Sequence, residues 1–305
     1  MVTQPPSLLL SDHPVGDAVG RMARELRHRH GDTVAAILFY GSCLRDQGGA
    51  GILDFYVLVD DYRSFHDHPV AVLANAILPP SVGFVADTEG AFQGAKVTVI
   101  SRDQFATRVT PDSLDTTIWA RFCQPAVLVH CRNAGVADWV AQILSQAAVT
   151  AMHWAVHLGP DEGRAEDFWI NLFRHTYGVE LRVEGAARAA QLYGFSPALF
   201  DAVFAALAPA GIERRPDGRY RLRLDGSQRR QARRRWFWRR IAGKILNVLR
   251  LTKALFTFDG GIDYIVGKLE RHSGQHVALR PWQRRYPLLA APGVLWSLYR
   301  RGVIR

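Results

Sequence analysis

Between Ile52 and Val59 the chain reads Ile-Leu-Asp-Phe-Tyr-Val-Leu-Val, one carboxylate inside an otherwise almost wholly apolar run. A run of this length and character is a strand buried on both faces. A charge at its centre is costly unless something answers it. The preceding segment narrows the possibilities: Val34–Tyr40 is a second apolar strand, followed at once by Gly41-Ser42, and Gly48-Gly49-Ala50-Gly51 is a loop by composition. Strand, glycine-containing turn and acid-bearing strand thus form one unit, and the fold has to be built around it.

The residue types in this unit suit phosphate and metal chemistry. Glycine lets the backbone approach an anion closely, and the Ser42 hydroxyl adds a donor beside the N–H groups of the turn. A carboxylate on the next strand is the hard oxygen ligand that Mg²⁺ takes when it rides on a nucleotide's phosphates. The spacing of Gly-Ser, about ten residues and an apolar strand with Asp resembles the nucleotidyltransferase superfamily motif. Many members of that superfamily carry a second acid two residues on, about 7 Å away on the same face at ~3.3 Å per residue. Here that position is Tyr56. Asp60 shares the face but lies roughly 20 Å from Asp54, too far to share an ion. Asp87, near a neighbouring strand, is the candidate second ligand. The bland alternative is that Asp54 caps a turn or pairs with a buried arginine. Likewise Lys96 has an alternative role as an edge-strand charge that blocks aggregation.

The rest of the first 133 residues alternates helix and strand. Val15, Val19, Met22 and Leu26 share one face of a helix over 14–30. Pro79-Pro80 marks a turn before strands at Val82–Ala86 and Ala95–Ile100, and a helix over 113–122 leads into a strand at Ala126–His130. This predicts an α/β (α+β) fold, with a nucleotidyltransferase-like mixed sheet and helices over 1–133. A mostly helical second domain is expected over 134–226, with Gly211–Arg223 as a hairpin or linker. A basic amphipathic C-terminal region follows over 227–305, helical to near residue 270 and broken at Gly274, Pro281, Pro287 and Pro292.

Tyr40-Gly41-Ser42, Gln47, Leu53-Asp54-Phe55 and Val59-Asp60-Asp61 together resemble the mitochondrial-type phosphatidate cytidylyltransferases, the translocator assembly and maintenance family. In that family too the strand reads Leu-Asp-Phe without a second acid, so Tyr56 fits the resemblance. Lys96 with Val99-Ile100-Ser101 is similar to the family's Lys-x-x-Val-Ile-Ser. Arg121 with Pro125 is similar to its Gly-Arg-Leu-x-Lys-Pro, with Ala120 and Gln124 as departures. Tyr177, Glu180 and Arg182 resemble its Tyr-x-x-Asp-x-Arg. The likeness spans about 35–185 and fades in the C-terminal third. It implies transfer of CMP from CTP to phosphatidic acid, giving CDP-diacylglycerol and pyrophosphate, with Mg²⁺ as cofactor. Tyr40, Gly41, Ser42, Gln47 and Arg182 would then contact nucleotide, Asp54 would hold metal, with Asp87 as the second ligand read from the strand pattern, and Lys96 and Arg121 would neutralise phosphate charge.

The charge distribution points to an anionic partner surface. Net charge is +10, and between Arg229 and Lys253 there are ten Lys or Arg and no Asp or Glu. Ile241, Ile245, Val248, Thr252 and Leu255 follow helical spacing there. Arg239, Arg240, Lys244, Arg250 and Lys253 lie beside or across from that stripe. Trp236-Phe237-Trp238 occupies the place of an interfacial anchor. An amphipathic helix packed on the core is the competing reading. No window reaches the ~18 apolar residues of a spanning helix, and the N-terminal stretch lacks the basic and apolar regions of a signal peptide. The expected location is therefore cytoplasmic, peripheral on the inner face of the membrane. No nucleic-acid partner is expected, because the aromatics cluster with aliphatics instead of standing apart as base-stacking platforms. A nucleotidyltransferase acting on nucleic acid or a small molecule, and a non-catalytic nucleotidyltransferase-fold binding protein, are the rival functions. Cys43, Cys123 and Cys131 form no CxxC pair, and His153/His157, four apart on a helix, lack the carboxylate motif of a zinc helix.

Overall fold

The computed structural model describes residues 9–11, 14–45, 51–66, 68–86, 94–179, 186–207, 211–257 and 293. It is a mixed α/β fold. Helix α1 (Asp17–His30) leads into β1 (Val34–Tyr40), a short helix α2 (Ser42–Arg45) and β2 (Leu53–Val59). After α3 (Pro69–Ile77) come β3 (Ser81–Val85), β4 (Ala95–Ser101), α4 (Arg102–Arg108), α5 (Thr117–Phe122) and β5 (Val127–Cys131). The five strands form one sheet in the order β3-β4-β2-β1-β5. Its pairs are antiparallel except β2 with β4, which run parallel. That parallel pair needs a crossover, and α3 with β3 supplies it. β1 and β2 lie inside the sheet, and all but one of their residues are buried. This is why both read as continuous apolar runs.

Alternation along the strands assigns each residue to a face. Ile37, Phe39, Phe55, Val57, Val97 and Val99 pack against Val19, Met22 and Leu26 of α1. On the other face, Leu38, Tyr40, Tyr56, Leu58 and Ile100 meet Phe105 of α4 and Ile118, Trp119 and Phe122 of α5. This second core continues without a break into the helical part of the molecule. There α6 (Ala134–Leu158), α7 (Ala165–Tyr177), α8 (Ala186–Gly194) and α9 (Pro197–Leu207) surround Trp154, Phe168, Trp169, Phe173, Phe200 and Phe204. The Asn133 side chain caps α6 by accepting from Val136 N–H at 3.0 Å, the expected use of Asn at a helix start.

Several local features depart from the sequence reading. α5 begins at Thr117, not 113, because the buried Asp115 carboxylate accepts from both the N–H and the hydroxyl of Thr117 and holds the preceding residues in a turn. α3 and α4 are helices that the sequence pattern does not announce. The helical stretch is interrupted at Pro160, where β6 (Glu162–Gly163) joins a small sheet with the hairpin β7 (Ile212–Arg214) and β8 (Tyr220–Leu222).

The basic tail forms one long helix, α10 (Gly226–Thr257); the breaks expected beyond it lie outside the described residues. Its first half is anchored in protein. Trp236 is 3% exposed, against Trp119, Trp154 and His175, so it is not an interfacial anchor. Arg239 is 2% exposed, stacks on Trp154 and donates to the carbonyl oxygens of Arg235 and Pro111. It is a core residue, not a surface cation. Phe237, Trp238, Ile241, Ile245, Val248, Leu249 and Leu251 stay exposed. Among the described residues no single helix is long and apolar enough to cross a membrane; α8 with α9 passes only as a pair bent by 85°, and Leu192, Phe200, Val203 and Phe204 of that pair are buried in the core.

Candidate active site

The end of β1 decides the geometry of the site. Gly41 has φ +94°, a left-handed value that disfavours any residue with a Cβ. A Cβ built there would stand 2.6 Å from Asp54 Oδ2. The bend therefore lies directly against the Asp54 carboxylate. Register holds the two together: Tyr40 pairs with Asp54 across β1 and β2, and Asp54 pairs with Lys96 across β2 and β4. Lys96 Nζ lies 3.6 Å from Asp54 Oδ1, and both side chains retain solvent exposure. One carboxylate oxygen faces the glycine bend and the other faces the lysine.

These residues line a cavity of about 170 Å³. The sheet contributes Tyr40, Gly41, Asp54 and Lys96, and Ser42 joins them as the first residue of α2. The helical side contributes Ala120, Arg121, Gln124 and Pro125 from α5 and the turn after it, Thr176 and Tyr177 from the end of α7, and Arg188 and Leu192 from α8. Arg121 Nη1 donates to Thr117 O one turn back at 2.8 Å, and Gln124 Nε2 donates to Ala120 O at 2.8 Å. Burial first, and the Asp54 charge second, hold the Tyr40 hydroxyl well above its usual titration range. Tyr40 therefore stays a neutral phenol at the cavity wall.

Position 56 shows why a second acid is absent. Tyr56 is 2% exposed and meets Tyr40, Phe105 and Phe122 in edge-on or T-shaped contacts. An aromatic cluster fills the space where a second carboxylate would stand. Asp60 is taken up elsewhere, by Arg102 at 3.2 Å and Arg132 at 2.6 Å. The charge-assisted bond from Arg132 outweighs the opposing effect of burial and holds its carboxyl below the usual range, with Arg102 adding to it.

Of the residues singled out from sequence, Tyr40, Gly41, Ser42, Asp54, Lys96 and Arg121 meet at one cavity, together with Pro125 and Tyr177. Gln47, Asp87, Glu180 and Arg182 lie outside the described residues. Thr176, Arg188 and Leu192 join the cavity without having been expected there. Arg188 sits in an Ala-rich segment with no local signal, and only the packing of α8 on α7 brings it to the cavity. Among the described residues no three His, Cys, Asp or Glu side chains form a metal-binding cluster. The donor set is one carboxylate beside a glycine bend, ringed by Lys96, Arg121 and Arg188. That set fits Mg²⁺ carried in on phosphates, which needs one or two protein carboxylates and fills its other positions with phosphate and water. Among the described residues it offers too few ligands for an ion held by protein alone.

No protein-family model matches the chain, and no curated protein matches it. Among solved structures it is similar to a nucleotidyltransferase-like protein from Exiguobacterium sibiricum 255-15, with 11% identity, coverage of 94% of this chain and 93% of that one, and a TM-score of 0.30. A likeness this loose carries no functional weight. The chemistry of the chain lies in its own cavity, lined by a glycine bend, a strand carboxylate and the three cations Lys96, Arg121 and Arg188.

Proposed function

We propose that the protein is a phosphatidate cytidylyltransferase, transferring CMP from CTP to phosphatidic acid with release of pyrophosphate. One observation carries this reading. Five stretches far apart in sequence, which together resemble that family, supply residues to a single cavity: Tyr40-Gly41-Ser42, Asp54, Lys96, Arg121 with Pro125, and Tyr177. A cavity with three cations and one carboxylate suits a polyanion. Neutralising phosphate charge and fixing the line of attack are most of what this chemistry requires.

In the proposed reaction an oxygen of the lipid phosphate attacks the α-phosphorus of CTP. A new P–O–P bond forms as the bond from Pα to the bridging oxygen breaks, and the electron pair leaves with pyrophosphate. The nucleophile is already an anion, so no general base is needed. Gly41 and Ser42 present N–H and hydroxyl donors to the triphosphate, and Lys96, Arg121 and Arg188 offset its charge. Asp54 would be the protein ligand to Mg²⁺, whose contribution when bound is to neutralise the charge that builds up on the phosphates. The outward apolar residues of α10, with Arg233, Arg234, Arg240 and Lys244 on the same helix, suit contact with the anionic membrane that carries the lipid substrate.

The test is incubation of the protein with labelled CTP, phosphatidic acid vesicles and Mg²⁺. CDP-diacylglycerol is expected only when all three are present. Asp54→Asn is expected to lower turnover by about 10²–10³-fold, the scale of removing a group that stabilises charge in the transition state, with the melting temperature preserved. Equal turnover with an RNA end or a soluble alcohol would assign a different acceptor. Nucleotide binding with no turnover on any acceptor would make this a binding protein, a reading that the Lys96–Asp54 pair favours because it partly answers the acid.

A further inference from the structure

Beyond its buried Trp236, α10 is held to the rest of the molecule by charged side chains, and one of these contacts leads toward the cavity. Arg250, near the end of the helix, reaches the turn before α5. Its guanidinium pairs with Asp115 Oδ2 and donates to Pro79 O at 2.8 Å through Nε and 2.5 Å through Nη2. Nη1 lies 3.4 Å from both Asp115 Oδ1 and Thr117 Oγ1. Asp115 is 6% exposed and in turn accepts from Thr117 N at 3.1 Å and Thr117 Oγ1 at 2.6 Å. Thr117 is the first residue of α5, and its carbonyl oxygen accepts from Arg121 Nη1 at 2.8 Å. An unbroken chain of polar contacts therefore runs from Arg250 through Asp115 and Thr117 to Arg121 at the cavity wall.

The neighbouring groups fix this chain in place. Arg108 Nε lies 3.6 Å from Asp115 Oδ2, leaving the buried carboxylate between two guanidinium groups. Burial alone would raise the Asp115 carboxyl, but the Arg250 charge and its hydrogen bond, helped by Thr117, overcome this and hold it below the usual range. Three residues on, Lys253 Nζ donates to Asn75 Oδ1 at 2.7 Å, Leu78 O at 2.6 Å and Pro80 O at 2.8 Å. The end of α10 is thereby gripped at two successive turns, against both the Pro79-Pro80 turn and the start of α5.

We propose that Arg250 is a positioning residue for the nucleotide site, setting through Asp115 and Thr117 the orientation of α5 and hence of Arg121. The inference rests on the nucleotidyltransferase reading of the cavity. It adds that the basic tail is a structural part of the site and does more than tether the protein to a surface.

A double-mutant cycle on nucleotide affinity tests it, using the full chain, a fluorescent CTP analogue and no lipid. Arg250→Met should weaken binding about fivefold in the wild-type background and less than about twofold when Arg121→Met is already present, since coupled residues act non-additively. Arg250→Lys, which keeps the charge but not the fork of contacts, should fall between wild type and Arg250→Met. Thr117→Val exchanges only the hydroxyl for a methyl group and covers the case in which Arg250→Met fails to fold; its effect should also vanish in the Arg121→Met background. Equal losses in both backgrounds would mean that Arg250 only stabilises the fold, and would overturn the proposal. Binding weakened by Arg121→Met but untouched by Arg250→Met and Thr117→Val would overturn it while leaving the functional reading intact. A wild-type protein that binds no nucleotide would overturn both.

Discussion

The two walls of the cavity are built on different principles. The sheet wall is fixed by ladder hydrogen bonds: Tyr40, Asp54 and Lys96 stand side by side because their strands are in register. The helical wall has no such ladder. Arg121, Tyr177 and Arg188 come from three helices whose relation is set by side-chain packing around Trp119, Trp154, Trp169 and Trp236. A ladder holds its residues to a fraction of an ångström, whereas packed helices shift in small steps. In the proposed reaction the sheet wall would therefore carry the groups that act on the reacting phosphate, and the helical wall those that admit and hold the substrate.

Substitutions on the two walls should separate accordingly. Gly41→Ala on the sheet wall should do more damage than any substitution on the helical wall: the added methyl meets Asp54 Oδ2 at 2.6 Å and the φ of +94° is retained only under strain. About 100-fold lower kcat is expected, with a destabilisation of about 1–3 kcal/mol seen as a lower melting temperature. On the opposite wall, Arg121→Met should raise the KM for nucleotide about tenfold and change kcat less, the pattern of a lost charge-assisted bond made in ground and transition state alike. Arg188 is a half-buried lining residue of the cavity and donates to Gln191 Oε1 at 3.1 Å. Arg188→Ala should raise the nucleotide KM about threefold with an unchanged melting temperature. If Arg188→Ala instead lowered kcat with KM constant, the division between the walls would fail.

The smallest effect concerns pH and the helical layer alone. Burial, reinforced by His157 and then by Arg235 and Arg239 against the weaker pull of Asp112, brings His153 down to about 4. The unfolded chain takes up that proton near pH 6.5. Between these values the unfolded state binds more protons, so stability falls as the pH drops from 6.5 toward 4. Allowing for the partial exposure of the ring, the loss is on the order of 1 kcal/mol. His153→Leu should flatten the slope of denaturation midpoint against pH over this range. A slope unchanged in the variant would place the acid sensitivity elsewhere.

The same contrast explains which parts of the site are legible in the sequence. Asp54 stands out because a strand carries its own pattern, and a lone acid in an apolar run is visible without a partner. Gly41 and Ser42 follow directly from the chain. Lys96, Arg121 and Tyr177 are reached only through a resemblance, because nothing in a helix's periodicity marks which polar residue faces a cavity, and a lysine on a strand has a bland explanation ready. Arg188 and Asp115 have neither kind of signal: their roles exist only once α8 meets α7 and α10 meets α5. Trp236 illustrates another limit. An amphipathic stripe records only that one face avoids water, and protein interior and lipid satisfy that requirement equally. Position 56 is legible as a missing acid, but the reason, an aromatic cluster with Tyr40, Phe105 and Phe122, is a matter of packing.

The parallel pairing of β2 with β4 carries one more consequence. Asp54 and Lys96 are 42 positions apart, and their meeting depends on where the incoming strand settles. Were β4 to slide by a single residue, Ala95 or Val97 would stand opposite Asp54, and Lys96 would turn toward Val19 and Met22 on the far side of the sheet. That error would bury an ammonium among aliphatics and strand a carboxylate at the same time. The pair of charges thus acts as a check on assembly: a chain that zips up wrongly is penalised twice, and the alignment that satisfies both charges is the one that also creates the cavity.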